Sequence, residues 1–172
     1  MQNRLPKPDQ IVPVYAVIAF MSFAWMIVLS LWKLSAWLYF QTINEILAIQ
    51  AYLFMQVFFD SLLYLGLLLA LCFILPPRYL KDDFAVRGSW IALVVLSSMM
   101  IYLNQFLVTK ISSPIWTILT VLIALGLAIL SGRFKWLANL ALQVSDRLII
   151  FLYVLLPLCA ISILTVIIRN IS

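Results

Sequence analysis

From Ile11 to Trp32 the chain runs for 22 residues without a single charged side chain. A helix rises about 1.5 Å per residue, so about 20 apolar residues cross the hydrocarbon layer of a bilayer. Further apolar runs of similar length follow along the chain. Hydrophobic residues make up 66% of it and charged residues 10%, against roughly 25% charged in ordinary globular domains. A soluble body of 172 residues has too much exterior for its volume to hide that much apolar surface. In lipid the exterior can be apolar as well. The expected fold is all-α, a polytopic integral membrane protein with residues 1–172 forming a single domain in the bilayer.

Five spans are expected, at about 11–32, 54–75, 89–108, 114–131 and 148–168. Pro13 is read as lying in the first turn of the first span, where a missing N–H does no harm. Between the first two spans, Gln41, Asn44, Glu45, Ala48 and Tyr52 recur at helical spacing, with Leu38, Ile43, Ile46, Leu47 and Ile49 on the other side. That is an amphipathic helix, either lying along the outer surface or extending the second span. Pro76-Pro77 ends the second span, because proline cannot donate and disfavours helix before it. Pro114 opens the fourth span, and Gly132 suits its C-terminal cap. Residues 136–147 set Leu137, Leu140, Ala141 and Val144 against Asn139, Gln143, Asp146 and Arg147, a second amphipathic stretch running into the fifth span. Pro157 should kink that span. The first run is longer than the apolar core of a signal peptide and no small-residue cleavage site follows it, so it is expected to be retained.

Orientation follows from the basic residues. Arg4, Lys7, Arg78, Lys81, Arg87, Arg133, Lys135 and Arg147 fall on one side, and Lys33, Lys110 and Arg169 on the other. The richer side is the cytoplasm, which places the N-terminus inside and the C-terminus outside. Trp32, Trp37 and Trp116 mark outer boundaries, and Trp90 and Trp136 inner ones, as an interfacial aromatic belt requires. Trp25 is the exception, within the first span. The net charge of +5 is scattered rather than clustered, which argues against a nucleic-acid partner.

Chemistry is sparse. There is no histidine, which removes His-ligated haem, the usual zinc sites and His-based acid–base catalysis. Cys72 and Cys159 lie in apolar segments and read as buried free thiols. Ser97-Ser98 and Ser112-Ser113 have no base to activate them, and no glycine-rich phosphate loop is present. Asp82-Asp83 reads as a solvated charged loop beside Lys81 and Arg87 rather than a metal site. No residue pattern identifies a cofactor. Asp60 stands out, because an ionisable group within a span is costly and a functional hypothesis by default. It could serve proton or cation transfer, or make a partner contact near the outer interface. Gln50, Gln56, Asn104 and Gln105 could join it in a polar seam near the outer leaflet, of the kind that bonds across helices. Gly66 and Ala70 form a small-xxx-small pair that permits close helix approach. Only four glycines occur in all, fewer flexible points than transporters with broken helices use.

The stretch from Ser131-Gly-Arg-Phe-Lys-Trp136, through Leu152-Tyr-Val-Leu-Leu-Pro-Leu158, to Ile167-Ile-Arg-Asn-Ile171 resembles the end of a known five-helix domain. That domain is the N-terminal membrane part of bacterial sulfatase-like, lipoteichoic-acid-synthase-type proteins, where it precedes an extracytoplasmic hydrolase. The resemblance covers mainly the last forty residues, and none of that family's catalytic residues carries over. It implies a bacterial plasma membrane location and an anchor or partner role. The expected function is a non-enzymatic membrane subunit or anchor packed against other membrane proteins or further copies of itself. The alternative is a small transporter or channel using Asp60 and its polar neighbours.

Overall fold

The computed structural model describes residues 6–74, 83–109, 114–131 and 134–171. Five helices follow one another: α1 (Pro8–Phe40), α2 (Ile43–Ile74), α3 (Phe84–Thr109), α4 (Pro114–Ser131) and α5 (Lys135–Ile171). No strand occurs among the described residues. Four helices, α1, α2, α3 and α5, are long and apolar enough to cross a membrane. Pro76, Pro77 and Gly132, read as helix stops, and the basic residues Arg4, Arg78, Lys81, Lys110 and Arg133 lie outside the described residues.

The helices are longer than the spans read from hydropathy. At 33, 32 and 37 residues, α1, α2 and α5 run about 48–55 Å against about 30 Å of hydrocarbon. Helix α1 begins at Pro8, so Pro13 is not in its first turn. It lies inside the helix, where its ring removes one i→i−4 bond and leaves the Asp9 carbonyl without that donor. Helix α5 likewise continues through Pro157. Its first dozen residues are the second amphipathic stretch, joined to the span without a break.

Residues 43–52 are the first part of α2, continuous with the span rather than a separate helix. Gln41 adopts an extended conformation and its N–H donates to the Trp37 carbonyl at 2.8 Å, closing α1. Thr42 and Glu45 then form a reciprocal cap. The Thr42 backbone N–H and hydroxyl donate to Glu45 Oε2 at 2.7 and 3.0 Å, and the Glu45 N–H donates to Thr42 Oγ1 at 3.4 Å. This capping box satisfies donors that the first turn leaves orphaned. The faces of the extension differ from the amphipathic reading. Ile46, Ala48 and Ala51 are buried, while Leu38, Ile43 and Leu47 are exposed.

Helix α1 is the centre of the bundle. Val14, Val17 and Ile18 pack with Leu68 and Cys72 of α2 and with Phe84, Ala92 and Leu96 of α3. Ala16, Ala19, Phe23 and Met26 pack with Leu152 and Cys159 of α5. Both cysteines are buried and free. Helix α4 is peripheral, touching α3 and, less, α5. Lipid tails are as apolar as leucine, so helix association here depends on close fit rather than on removal from water. Small residues supply that fit. Ser61, Ser89, Ser145 and Ser162 are buried. The Ser61, Ser89 and Ser145 hydroxyls donate to the carbonyls of Phe58, Ala85 and Ala141 at 2.6–2.8 Å, which satisfies them locally.

Two contacts fix which ends share a side. Trp90 Nε1 donates to the Leu137 carbonyl at 3.3 Å, joining the starts of α3 and α5. The Tyr52 hydroxyl donates to Asn170 Oδ1 at 3.0 Å, joining the first third of α2 to the end of α5. The start of α1 and the end of α5 therefore lie at opposite ends of the bundle.

The glycine that matters for packing is Gly88. A Cβ there would meet the Val14 methyls at 3.1 and 3.3 Å and Leu68 Cδ2 at 3.5 Å. Gly66 has open space around it and is exposed, as is Ala70, so the small-xxx-small pair faces outward and brings no helix of this chain close. Gly88→Leu is expected to cost about 1–3 kcal/mol through overpacking. Gly66→Ala should gain up to about 1 kcal/mol from helix propensity alone. Thermal unfolding of both variants in the same detergent checks the contrast, and equal effects would contradict this packing.

Candidate functional site

A groove of about 360 Å³ opens between α1, α2 and α3. Helix α1 contributes Ser22, Trp25, Ser30, Lys33 and Trp37, and α2 contributes Gln56, Asp60 and Tyr64. Apolar side chains complete the walls, including Met99, Met100 and Leu103 of α3. The groove is therefore apolar in bulk with a few polar groups set along it, the general composition of a binding site.

Depth along the groove follows from the register of α1 against α2. The rings of Phe23 and Phe54 lie 5.6 Å apart, and Tyr15 Oη lies 3.4 Å from Ser61 Oγ. Asp60 is thus level with the part of α1 between residues 15 and 23. The uncharged stretch of α1 runs from Gln10 to Trp32, and its midpoint falls in that same part. Asp60 also sits near the middle of α2. Starting the second span near Gln56 would put Asp60 one turn from the outer interface. The capped start of α2 at Ile43 puts it deep in the bundle instead.

Asp60 is exposed on the groove wall and makes no ion pair among the described residues. Lys33 lines the same groove but lies about seventeen residues farther along α1 than the level of Asp60, which Tyr15 and Ser61 set near residue 16, about 25 Å toward the end of α1. The two charges share a surface without meeting. The Ser22 hydroxyl is buried and has no hydrogen-bond partner. Ser30 Oγ donates to the Ile27 carbonyl at 3.0 Å, and the Tyr64 hydroxyl contacts Met99 Sδ at 3.4 Å.

Of the polar residues singled out in the sequence, Gln56 and Asp60 are brought together in the groove. Asn104 is exposed at the next position after the groove residue Leu103 and is not part of the lining, and Gln50 is half-buried outside it. The Gln105 side chain lies outside the described residues. Ser22, Trp25, Ser30 and Lys33 join the site without having been expected there. Trp25, out of place as a belt residue, has its position explained by the groove. Among the basic residues used for orientation, Arg87 forms an ion pair with Asp83 at 3.6 Å in the first turn of α3. Lys135 is exposed at the start of α5, the same end as Lys7.

No protein family, curated protein or solved structure matches this chain.

Proposed function

We propose that this protein is a non-enzymatic subunit or anchor of a membrane complex, and that it engages its partner through the groove. The observation that carries this reading is Asp60: a carboxylate deep in the bundle, exposed on a helix wall and without an ionic partner in the described chain. A lone charge at that depth costs about 2.5–3.5 kcal/mol on insertion scales. A basic group from another polypeptide would offset that cost.

The same reading takes five spans with the N-terminus in the cytoplasm and the C-terminus outside, in a bacterial plasma membrane. The 18 residues of α4 make about 27 Å, close to the hydrocarbon thickness. The excess of basic residues beside the start of α1 supports the orientation. A small transporter or channel is the second reading, favoured by the presence of Asp60, Gln56 and Lys33 in one groove.

Gentle extraction of the tagged chain from its native membrane, followed by native mass spectrometry, separates the two. Stoichiometric membrane polypeptides bound to the chain are expected. A chain that emerges alone, together with an ion or solute flux in vesicles that Asp60→Asn abolishes, would replace the subunit reading with the transporter.

A further inference from the structure

The groove carries a negative charge at depth and a positive charge nearer its outer end, and the chain pairs neither with the other. A lipid suits only the outer half of that arrangement. A phosphate headgroup can meet Lys33 at an interfacial level, but the acyl chains below it have nothing to offer Asp60. A second copy of this chain does no better. A two-fold axis along the bundle keeps every residue at its own depth, so it brings Asp60 opposite Asp60, with Lys33 about 25 Å away along the axis.

We propose that the groove seats one transmembrane helix of a different protein, carrying a Lys or Arg level with Asp60 and an acidic residue about seventeen positions farther out, level with Lys33. This rests on the subunit reading and names the chemistry of its partner. An arginine fits the deep end best, because its planar fork of donors matches the two oxygens of the Asp60 carboxylate. The apolar side chains of that helix would lie on Met26, Leu29, Val57, Leu96 and Met100, whose unbranched and polarisable members adapt to a foreign surface. Trp25 and Trp37 flank the path.

The test uses the full chain in phosphatidylcholine vesicles, with a photo-crosslinking residue in place of Leu29. The probes are synthetic leucine-rich transmembrane peptides. One carries an Arg level with Asp60 and a Glu about seventeen residues toward its outer end, a second carries Leu at both positions, and a third carries Glu in place of the Arg. The Arg peptide should be labelled about tenfold more than the Leu peptide, near the upper range of measured polar interhelical contacts. Asp60→Asn should remove that preference, Asp60→Glu should retain it, and Lys33→Gln should reduce it in part.

Equal labelling of the Arg and Leu peptides would overturn the proposal, as would a preference that survives Asp60→Asn. Labelling dominated by a photoactivatable phosphatidylglycerol that the Arg peptide does not displace would assign the groove to lipid. Chain-to-chain adducts would assign it to a second copy. The subunit reading fails separately, when no polypeptide accompanies the chain out of its native membrane. Native partners that bind wild type and Asp60→Asn equally would leave that reading standing and overturn this one.

Discussion

Asp60→Asn is expected to reduce recovery of native membrane partners by about tenfold, while Asp60→Leu leaves the unfolding of the isolated chain within about 0.5 kcal/mol of wild type, because an exposed side chain meets the same lipid or detergent in the packed and the separated helices. The contrast between lost partners and an unchanged fold is the point of the experiment. A carboxylate that served packing within this chain would have partners here, and removing it would destabilise the monomer. Asp60 is exposed and has no ion pair among the described residues, so its removal takes nothing from the isolated fold. Partner recovery is read by quantitative mass spectrometry of the extracted complex, and monomer stability by unfolding in mixed micelles. A loss of monomer stability in Asp60→Leu would show that the side chain has a structural role within the bundle, and the partner argument would fall with it.

Phe84→Ala should have the largest effect on the bundle itself. Phe84 is fully buried at the start of α3, packed with Val14 and Cys72, so it ties the first turns of α3 to both α1 and α2. In water a Phe→Ala change in a core costs about 3–5 kcal/mol, part of it transfer and part of it cavity. Here the separated helices remain in lipid, where the ring loses little by leaving the core. The expected cost is therefore the cavity part, about 2–3 kcal/mol. Phe84→Leu, which keeps most of the volume, should cost less than about 1.5 kcal/mol. Thermal unfolding of the two variants in detergent checks the order. A Phe84→Leu as damaging as Phe84→Ala would mean that shape rather than volume governs this contact.

How much was legible beforehand depends on the element. The existence of long apolar helices and the continuity of 136–147 with the last span could be read from hydropathy and helical spacing, whereas Gln41, read as part of an amphipathic helix, ends α1 in an extended conformation. The true start of α2 was also written in the sequence. Thr42 and Glu45 have the spacing of a capping box, and their reciprocal bonds hold the helix start at Ile43. That signal is enough to move Asp60 from the interface to the middle of α2. Lys33 was visible only as one of the few basic residues on the outer side, and nothing in its local sequence tied it to Asp60. Ser22 had no distinguishing neighbour at all. Gly88 carried no motif, whereas Gly66 and Ala70 did carry one and face outward.

By itself the sequence determined that this chain forms helices long and apolar enough to cross a membrane, because in runs such as Ile11–Trp32 every backbone group can bond along a helix while the side chains stay out of water. Only the tertiary structure decided which faces meet. Helix α1 is apolar on all sides, as expected for a helix surrounded by others or by lipid, so no stripe of hydrophobicity distinguishes its core face from a lipid face. The choice rests on shape, where Gly88 admits Val14 and where Ala16 and Ala19 pack toward α5. It is that choice of faces which lines up Asp60, Gln56, Ser22 and Lys33 along one groove.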